Sequence, residues 1–341
     1  SCAVISGAEG WSDIVEFAES KLDWLHRFVK LDNGIPVDDT FARVLSRISP
    51  QALHTCFLSW TQALEINSEG LIIAIDGKTV RRSHNRREGR PPLHLVRAWA
   101  TEAGIALGQV ATEVKSNEIT AIPELLHQLE LKGAVVTIDA MGCQRAVAEQ
   151  IAGQKGDYVL ALKGNQSTLN EAVGEYFATA KAHQFQDVDF TYDESLNTGH
   201  GRIEKRRCWA CADLSTLPEP TRWAGLRTII MVQSERHIGD KVTTEERFFI
   251  SSLKPNAEKI APAIGAHWEI ENGLHWVLDV TFGEDDSRIR RGHGAHNFST
   301  LRQMALSVLK REPTKISIRK KRIRAGYNDR FRDQVLASAR I

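Results

Sequence analysis

LIIAIDGKTVRR, residues 71–82, contains an apolar run that ends in a carboxylate, Asp76, followed by a glycine. A short Ile-rich run bounded by a glycine is typical of a strand that is covered on both faces, as in the middle of an α/β sheet. Sheets of this kind usually place their chemistry at the carboxyl ends of their strands. Asp76 is therefore either a functional acid or the first residue of a turn with Gly77.

The same pattern occurs again at residues 134–138, which read AVVTI and run directly into Asp139. Spacing and turn residues predict, in the same part of the chain, strands at 93–100 and 104–114, a helix capped by Ser116 or Asn117, a helix near 144–152 and a strand at 157–163. The predicted order is three strands, a helix, a strand, a helix and a strand, with acids after the first and fourth strands. This order predicts an RNase H-like mixed sheet.

Helical and β-rich segments flank and interrupt this α/β core. Residues 11–65 have helical spacing, 165–255 contain three predicted strands, and a helix is predicted at about 257–279. The predicted parts are a helical N-terminal region at 1–68, the first part of the core at 69–164, a β-rich insertion at 165–256, a core helix at 257–285 and a basic helical tail at 286–341.

The predicted helix at 257–279 places a third acid on its apolar side. Residues recur there at steps of four and three, at Ile264, Trp268, Glu271, His275 and Leu278. Such spacing puts all of them on one side of a helix, whereas Glu269 points away. A carboxylate that faces a core is costly unless it meets a cation or a metal ion. Glu271 is therefore the third candidate acid.

The three acids Asp76, Asp139 and Glu271 could together bind divalent metal. Oxygen ligands of this kind suit Mg²⁺ or Mn²⁺. The histidines at 267 and 275 would form a different, transition-metal face with Glu271, although the spacing H-E-x-x-H is absent. Packing or DNA contact is the other interpretation of those two histidines.

Two short motifs imitate known sites but lack essential residues. DGKT resembles the end of a P-loop, yet Ile72 stands where the first glycine of that motif belongs. Cys208 and Cys211 resemble half of a zinc site, but no second cysteine pair follows them. We therefore reject the P-loop and do not expect zinc at the cysteine pair.

Charge is distributed unevenly along the chain, although the net charge is only +1. Residues 1–76 contain eleven acids and five Lys or Arg, whereas residues 288–341 contain fifteen Lys or Arg and three acids. A strongly basic end favours a polyanionic partner such as nucleic acid, with a solvated charged surface as the alternative.

Composition excludes several classes of protein. No apolar stretch has the length of a membrane span, and the N-terminal sequence lacks the basic segment and apolar core of a secretory signal. The five cysteines are odd in number and scattered, which indicates a reducing compartment rather than a disulfide framework. We therefore expect a cytoplasmic protein.

Ordered motifs along nearly the whole chain resemble the H-repeat-associated proteins, a branch of the bacterial insertion-sequence transposases with a DDE catalytic core. The motifs that carry the resemblance are NGIPVDDTFARV, AIDGKT, KSNEITAIPELL, TIDAMGCQ, DYVLALKGNQ, HGRIE, HWEIENGLHWVLDV and EDDSRIRRG. The resemblance implies an RNase H-like fold with a β-rich insertion before the last acid. It also implies transposition of a DNA element.

The resemblance further implies that Asp76, Asp139 and Glu271 are catalytic and bind two Mg²⁺ or Mn²⁺ ions. Water would cleave a phosphodiester bond, and the freed 3′-OH would then attack target DNA. The implied partner is double-stranded DNA, at element ends and at the target, with a homodimer on DNA and a nucleoid-associated location. The broader transposase signature is altered here, because His267 stands where arginine is usual, Ile264 replaces a tyrosine and Leu278 replaces a lysine.

Basic residues close to the acids and in the tail are the candidates for phosphate contact. They are Lys78, Lys163, Arg288, Arg290, Arg291, Arg319, Lys320, Lys321 and Arg322. Two alternatives stay open within the family: an inactive or domesticated DNA-binding relative, and an RNase H-like nuclease without strand transfer. A glycoside hydrolase would use two acids but would leave the basic tail without a role.

Overall fold

The computed structural model of the protein describes residues 1–64, 67–112, 118–186, 188–199 and 201–339. The helices are α1 (Cys2–Ile5), α2 (Trp11–Ser20), α3 (Leu22–Leu25), α4 (Asp38–Arg47), α5 (Pro50–Ala63), α6 (Glu118–His127), α7 (Arg145–Gly153), α8 (Ser167–Ala182), α9 (Ala257–Glu269), α10 (Trp276–Phe282), α11 (Gly294–Arg311), α12 (Ile318–Tyr327) and α13 (Asp329–Ser338). A π-helix at Ile270–His275 separates α9 from α10. Among the described residues, no helix combines the length and the apolar character needed to cross a membrane.

The strands divide between two compact units. They are β1 (Ile72–Thr79), β2 (His94–Ala100), β3 (Ile105–Thr112), β4 (Val135–Ile138), β5 (Asp157–Ala161), β6 (Phe190–Gly199), β7 (Arg202–Cys211), β8 (Thr228–Ile238) and β9 (Lys241–Ser251). The first unit comprises Ser1–Asn67, Gly77–Ala121 and Ile270–Ile341, and the second comprises Ser68–Asp76 and Ile122–Glu269. The boundary falls inside β1, which therefore contributes residues to both units.

The second unit is built on strands in the order β1-β4-β5-β9-β8-β7-β6. The first three are parallel and the others are antiparallel. The apolar runs of β1 and β4 are buried, as expected for strands covered on both faces. Helix α9 packs across the sheet through Ile260 and Ile264, which join a core cluster with Ile230 and Phe249.

The first unit contains the hairpin β2–β3, in the strand order β3-β2-β1, and a cluster of helices. Its central element is the 18-residue helix α11, which contacts β3 and the helices α1, α4, α5, α10, α12 and α13. The order of the first five strands, 3-2-1-4-5, with β2–β3 antiparallel and β1, β4 and β5 parallel, is that of an RNase H-like sheet. The predicted fold class is therefore confirmed.

The insertion differs from its prediction in two respects. It contains four strands, β6 to β9, rather than three, and it begins with the 16-residue helix α8. Strand β6 reads FTYDESLNTG and is mostly exposed, so its apolar signal is weak and its pairing with β7 defines it. Helix α8 buries Leu169, Val173 and Phe177 at helical spacing, a pattern that the prediction overlooked.

Two other predictions of organisation are not tested by these elements. The predicted caps Ser116 and Asn117 lie outside the described residues, and so does the end of the strand predicted at 104–114. The five-part division of the chain stays a prediction, because the two units follow contacts rather than order along the sequence.

An ion pair is completely buried in the core of the first unit. Nη2 of Arg97 donates to both carboxylate oxygens of Glu284, at 2.8 and 2.9 Å, and both side chains are fully inaccessible to solvent. Ser299 Oγ accepts from Arg97 and donates to Glu284, each at 2.9 Å. Burial acts to raise the pKa of Glu284, but the charges of Arg97 and Arg302 leave that pKa lowered.

Glu284→Gln is expected to lower the free energy of unfolding by about 3–5 kcal/mol, because it leaves the Arg97 charge buried without its partner. Since the pKa of Glu284 is lowered on folding, its contribution is present above the unfolded value of about 4.3 and is lost as the pH falls below it. The difference between wild type and variant should therefore shrink in acid, measured by urea denaturation between pH 7 and the acid range.

The matched control is Asp286→Asn, which removes an acid whose ion pair with Arg82 spans 3.2 Å between mostly exposed side chains. Its cost should stay within about 1 kcal/mol at any of these pH values. Equal costs for the two variants would contradict a special role for the buried pair.

Candidate active site

Asp76 and Asp139 each follow the last residue of the parallel pairing between β1 and β4, although β1 itself continues past Asp76 to Thr79. Ile75 of β1 is the register partner of Ile138 of β4, so the acid that follows each of them stands at the same level of the sheet. The sequence argument predicted this juxtaposition from the two apolar runs alone. The structure supports it through the register of the pairing.

The carboxylate of Asp139 is oriented by the backbone. Its Oδ1 accepts hydrogen bonds from the N–H groups of Met141 at 3.1 Å and Gly142 at 3.4 Å, in a 3-10 turn that follows β4. A Cβ at Gly142 would lie 2.2 Å from Cγ2 of Ile138, so only glycine fits this close turn. Both hydrogen bonds use one oxygen of the carboxylate, which fixes the direction of the other.

Helix α9 places His267 beside this acid. The imidazole Nδ1 lies 3.2 Å from Oγ1 of Thr137, two residues before Asp139. Burial lowers the pKa of His267, and the negative charge of Asp139 opposes that shift. From the sequence, this histidine was expected to serve in packing, in DNA contact or in a histidine metal face. Its place beside Thr137 was not predicted, because helical spacing does not show which strand a helix residue meets.

Glu271 has a different environment from the one predicted. It lies in the π-helix of the first unit and is exposed, and the preceding Trp268 and Glu269 are exposed as well. The predicted stripe is therefore wrong at Trp268 and Glu271, although Ile264, His275 and Leu278 are buried as expected. A π-helix has i→i+5 hydrogen bonds and hence more residues in a turn, so a spacing rule based on 3.6 residues loses its phase there.

The donor atoms of the strand acids match a hard divalent cation. Two carboxylates at neighbouring strand ends offer the oxygen ligands that Mg²⁺ and Mn²⁺ prefer. Within the described part of the chain, no set of three or more His, Cys, Asp or Glu side chains is arranged to hold a metal ion. The catalytic and metal-binding roles of Asp76, Asp139 and Glu271 stay predictions.

The end of β1 after Asp76 is held by buried polar groups of the first unit. Thr79 Oγ1 lies 2.8 Å from Nδ1 of His94, whose Nε2 lies 2.6 Å from Oε1 of Glu118. The side chains of His94 and Glu118 are almost completely buried. Gly77 is packed against them, because a Cβ there would lie 2.2 Å from Oε1 of Glu118. The DGKT motif and Glu118 are thus joined in space.

Lys78, predicted to contact phosphate, is engaged inside the first unit. Its Nζ forms an ion pair with Asp279 and lies 3.9 Å from Oδ2 of Asp285. Burial raises the pKa of Asp279 in spite of the lysine. A DNA contact by Lys78 would have to compete with these two acids.

Two of the basic residues predicted to bind DNA are buried. Nζ of Lys321 donates to the Leu309 carbonyl at 2.9 Å and pairs with Glu312 at 3.1 Å. The Arg322 guanidinium donates to the carbonyls of Val4 and Ala8, each at 3.2 Å. The prediction that Lys321 and Arg322 contact DNA is therefore wrong, because both side chains are buried and bind carbonyl and carboxylate groups inside the protein.

The other predicted contacts lie at the surface or close to it. Lys163, Arg288, Arg319 and Lys320 are exposed. Nε of Arg290 donates to the Arg82 carbonyl at 2.8 Å, and Nη1 of Arg291 lies 3.5 Å from Oδ1 of Asp39. No structural observation tests whether they touch DNA, so this role stays a prediction.

An RNase H-like sheet with two acids at adjacent strand ends defines the class of protein. A model of the transposase DDE domain matches residues 67–308, and one described as DDE_Tnp_1-associated matches residues 1–61. The chain therefore belongs to the transposase DDE domain family, which confirms the resemblance found in its motifs.

Relatives of nearly full length carry transposase names. The chain is 42% identical to the H repeat-associated putative transposase YhhI of Escherichia coli (strain K12), over 99% of this chain and 90% of that protein. It is 43% identical to the putative transposase YncI of Escherichia coli O157:H7, over 99% and 87%. It is also similar, at 61% identity over 14% of this chain and 55% of that protein, to a protein named inactive transposase YbfQ.

Among solved structures, a match covers 99% of this chain and 80% of the other. It is the cryo-EM structure of a piggyBac transposase synaptic complex with hairpin DNA, with 9% sequence identity and a TM-score of 0.42.

Gly77→Ala is expected to destabilise the first unit by about 1–3 kcal/mol, because the added methyl group overlaps Glu118 and His94. The change is measured by thermal or urea denaturation. Gly164→Ala is the control, since nothing lies within 4 Å of its Cβ position. Equal stability of the two variants would show that the packing around Gly77 is loose.

Proposed function

We propose that this protein is a DDE transposase. It cleaves phosphodiester bonds at the ends of a DNA element, and the freed 3′-OH then attacks target DNA, which joins the element to the target. Asp76, Asp139 and Glu271 are the proposed catalytic acids and ligands of two Mg²⁺ or Mn²⁺ ions. The observation that carries the proposal is the register of β1 and β4, which sets Asp76 beside Asp139 at a strand end in a chain of this family.

The bound ions would supply a polarised water and stabilise the leaving oxygen. The role of the protein itself would be to hold the acids in position. The two backbone N–H groups on Oδ1 of Asp139 keep that carboxylate in one orientation, in which Oδ2 would be left to bind an ion. His267, which lies 3.2 Å from Oγ1 of Thr137, is close enough for the charge of Asp139 to act on its pKa. Glu271 lies in the π-helix and is the third proposed ligand.

Double-stranded DNA is the proposed partner, with a homodimer on DNA and a nucleoid-associated, cytoplasmic location. Arg319 and Lys320 are exposed in the first turn of α12 and remain proposed phosphate contacts, as do Lys163 and Arg288. The buried Lys321 and Arg322 are removed from that set. A solvated tail would serve only solubility.

A DNA-binding relative that no longer transposes is the second candidate. A related sequence is named an inactive transposase, and Glu271 is exposed rather than enclosed with other acids. An RNase H-like nuclease would share the cleavage step but not the joining step. Incubation with terminal-repeat DNA and Mg²⁺ separates them, because only a transposase gives both nicked ends and joined products.

Asp139→Asn is expected to lower metal-dependent cleavage by roughly 10³-fold or more, since a catalytic unit fails when one member is removed. The backbone N–H groups still have an oxygen to bind in asparagine, so fold and DNA affinity should be retained. Nicking of an end-containing duplex in Mg²⁺ measures the rate. Cleavage at the wild-type rate would remove Asp139 from the catalytic set.

Glu271→Gln is expected to abolish cleavage with almost no change in thermal stability, because the carboxylate is exposed to solvent. Glu269→Gln provides the control, as it changes an equally exposed acid two residues away. This variant should cleave normally. If only Glu269→Gln abolished cleavage, the family signature would be aligned to the wrong glutamate.

A further inference from the structure

A cavity of about 970 Å³ opens on the first unit. Its walls are the start of α2, the segment His84–Glu88 and the segment Gly283–Arg291. Four guanidinium groups line it, those of Arg86, Arg288, Arg290 and Arg291, with Trp11, Ala42 and Ile289 as apolar lining. We refer to this cavity as the arginine groove.

The two arginine-bearing walls are fixed to each other. Nε of Arg290 donates to the carbonyl of Arg82 at 2.8 Å, and Nη1 of Arg90 donates to the carbonyl of Gly292 at 3.0 Å. Asn85 and Arg90 form an antiparallel bridge that closes the loop between them. The groove is therefore formed before any ligand binds, which lowers the entropic cost of binding.

Acids also line the groove, but each already has a partner outside the four guanidinium groups. Asp13 accepts hydrogen bonds from the N–H groups of Glu9 and Gly10, at 2.8 and 2.9 Å. Asp286 pairs with Arg82 at 3.2 Å. The backbone hydrogen bonds leave the negative charge of Asp13 in place, whereas that of Asp286 is offset by Arg82, which lies outside the lining.

The remaining acids of the lining behave in the same way. Glu9 pairs with Arg322 at 3.4 Å, and Glu88 pairs with Arg90. Neither Arg322 nor Arg90 lines the groove. The lining itself holds four arginines and four acids. When the outside partners Arg82, Arg90, Arg322 and Asp39 are counted as well, seven arginines meet five acids, so the groove and its partners together carry a positive surplus.

The four arginines have few or weak interactions with other groups of the described residues. Arg86 and Arg288 are exposed, and neither forms an ion pair with an acid of the described residues. Arg290 binds only a backbone carbonyl, and the pair of Arg291 with Asp39 spans 3.5 Å between mostly exposed side chains. An exposed pair of this kind contributes little, so a stronger anion can replace it.

We propose that the arginine groove binds the phosphodiester backbone of DNA, at a place distinct from the first turn of α12. The inference rests on the proposed function and adds Arg86, which the sequence argument did not consider. Guanidinium groups bind phosphate through two parallel hydrogen bonds. Four of them along two walls suit a chain of repeated phosphates better than a single small anion, and the apolar lining suits the sugars between.

The test is the salt dependence of binding to a short duplex of arbitrary sequence, measured by fluorescence anisotropy between 50 and 200 mM salt. Arg86→Ala combined with Arg288→Ala removes two phosphate contacts and should reduce the slope of log K against log salt by about 1.8. Arg86→Lys combined with Arg288→Lys keeps the charge and should restore most of that slope. Circular dichroism confirms that each variant is folded.

The matched control is Lys315→Ala combined with Arg330→Ala, which removes two exposed charges of the same unit that do not line the groove. Its slope should remain close to that of the wild type. An unchanged slope in the Arg86/Arg288 variant, with normal wild-type binding, would overturn the groove alone. Failure of the wild type to bind duplex DNA at 50 mM salt would overturn the proposed function together with the groove.

A single strand of the same sequence distinguishes backbone binding from recognition of duplex shape. A backbone site should show a smaller loss of slope, about 1.4 for two contacts, since single strands carry a lower charge density. No loss with the single strand, combined with a full loss with the duplex, would contradict backbone binding.

Discussion

The parallel pairing of β1 with β4 is the constraint on which the candidate active site depends. Their apolar side chains face packed layers on both sides of the sheet, and Ile73, Ile75, Val136 and Ile138 are almost fully buried. A slip of one residue would turn every side chain to the opposite face, so burial fixes the register strongly. Because Ile75 is paired with Ile138, the two following acids need no further device to be brought together.

Buried arginines constrain the packing of the first unit, as the β1–β4 pairing constrains the second. The guanidinium of Arg302 lies 4.5 Å from the ring centre of Phe298, and that of Arg332 lies 4.1 Å from the ring centre of Trp24. Burial lowers the pKa of Arg302 to about 10. A desolvated cation is costly unless aromatic faces, carbonyls or acids surround it. Four basic residues of the C-terminal sequence, Arg302, Lys321, Arg322 and Arg332, are therefore used for internal packing.

The sequence was sufficient for the elements whose signal is local. The apolar runs that end in Asp76 and Asp139 predicted β1 and β4, since burial on both faces produces a clear pattern. Strand β6 was missed because most of its residues are solvent-exposed, and its place in the sheet follows from pairing with β7. The burial of Lys321 could not be predicted, because its acceptors at Leu309 and Glu312 are specified by the packing of α11 against α12.

The arginine groove could not be predicted from the sequence for a related reason. Its walls come from segments about 200 residues apart, joined by hydrogen bonds such as the one from Arg290 to Arg82. Counting charges along the chain finds an excess of arginine in both segments but does not show which of them are neutralised. That distinction requires knowing that Asp286 is paired with Arg82.

The π-helix explains why Glu271 is exposed where a regular helix would bury it. Ile270 and Leu274 are buried on either side of it, so the apolar contacts of the segment are made without the acid. π-Helices are rare and occur frequently at functional sites, since the extra residue must be kept at some cost to the helix. An exposed carboxylate can meet a metal ion or DNA without first giving up an internal partner. In this irregular turn the apolar residues hold the fold, while the Glu271 carboxylate stays accessible to solvent.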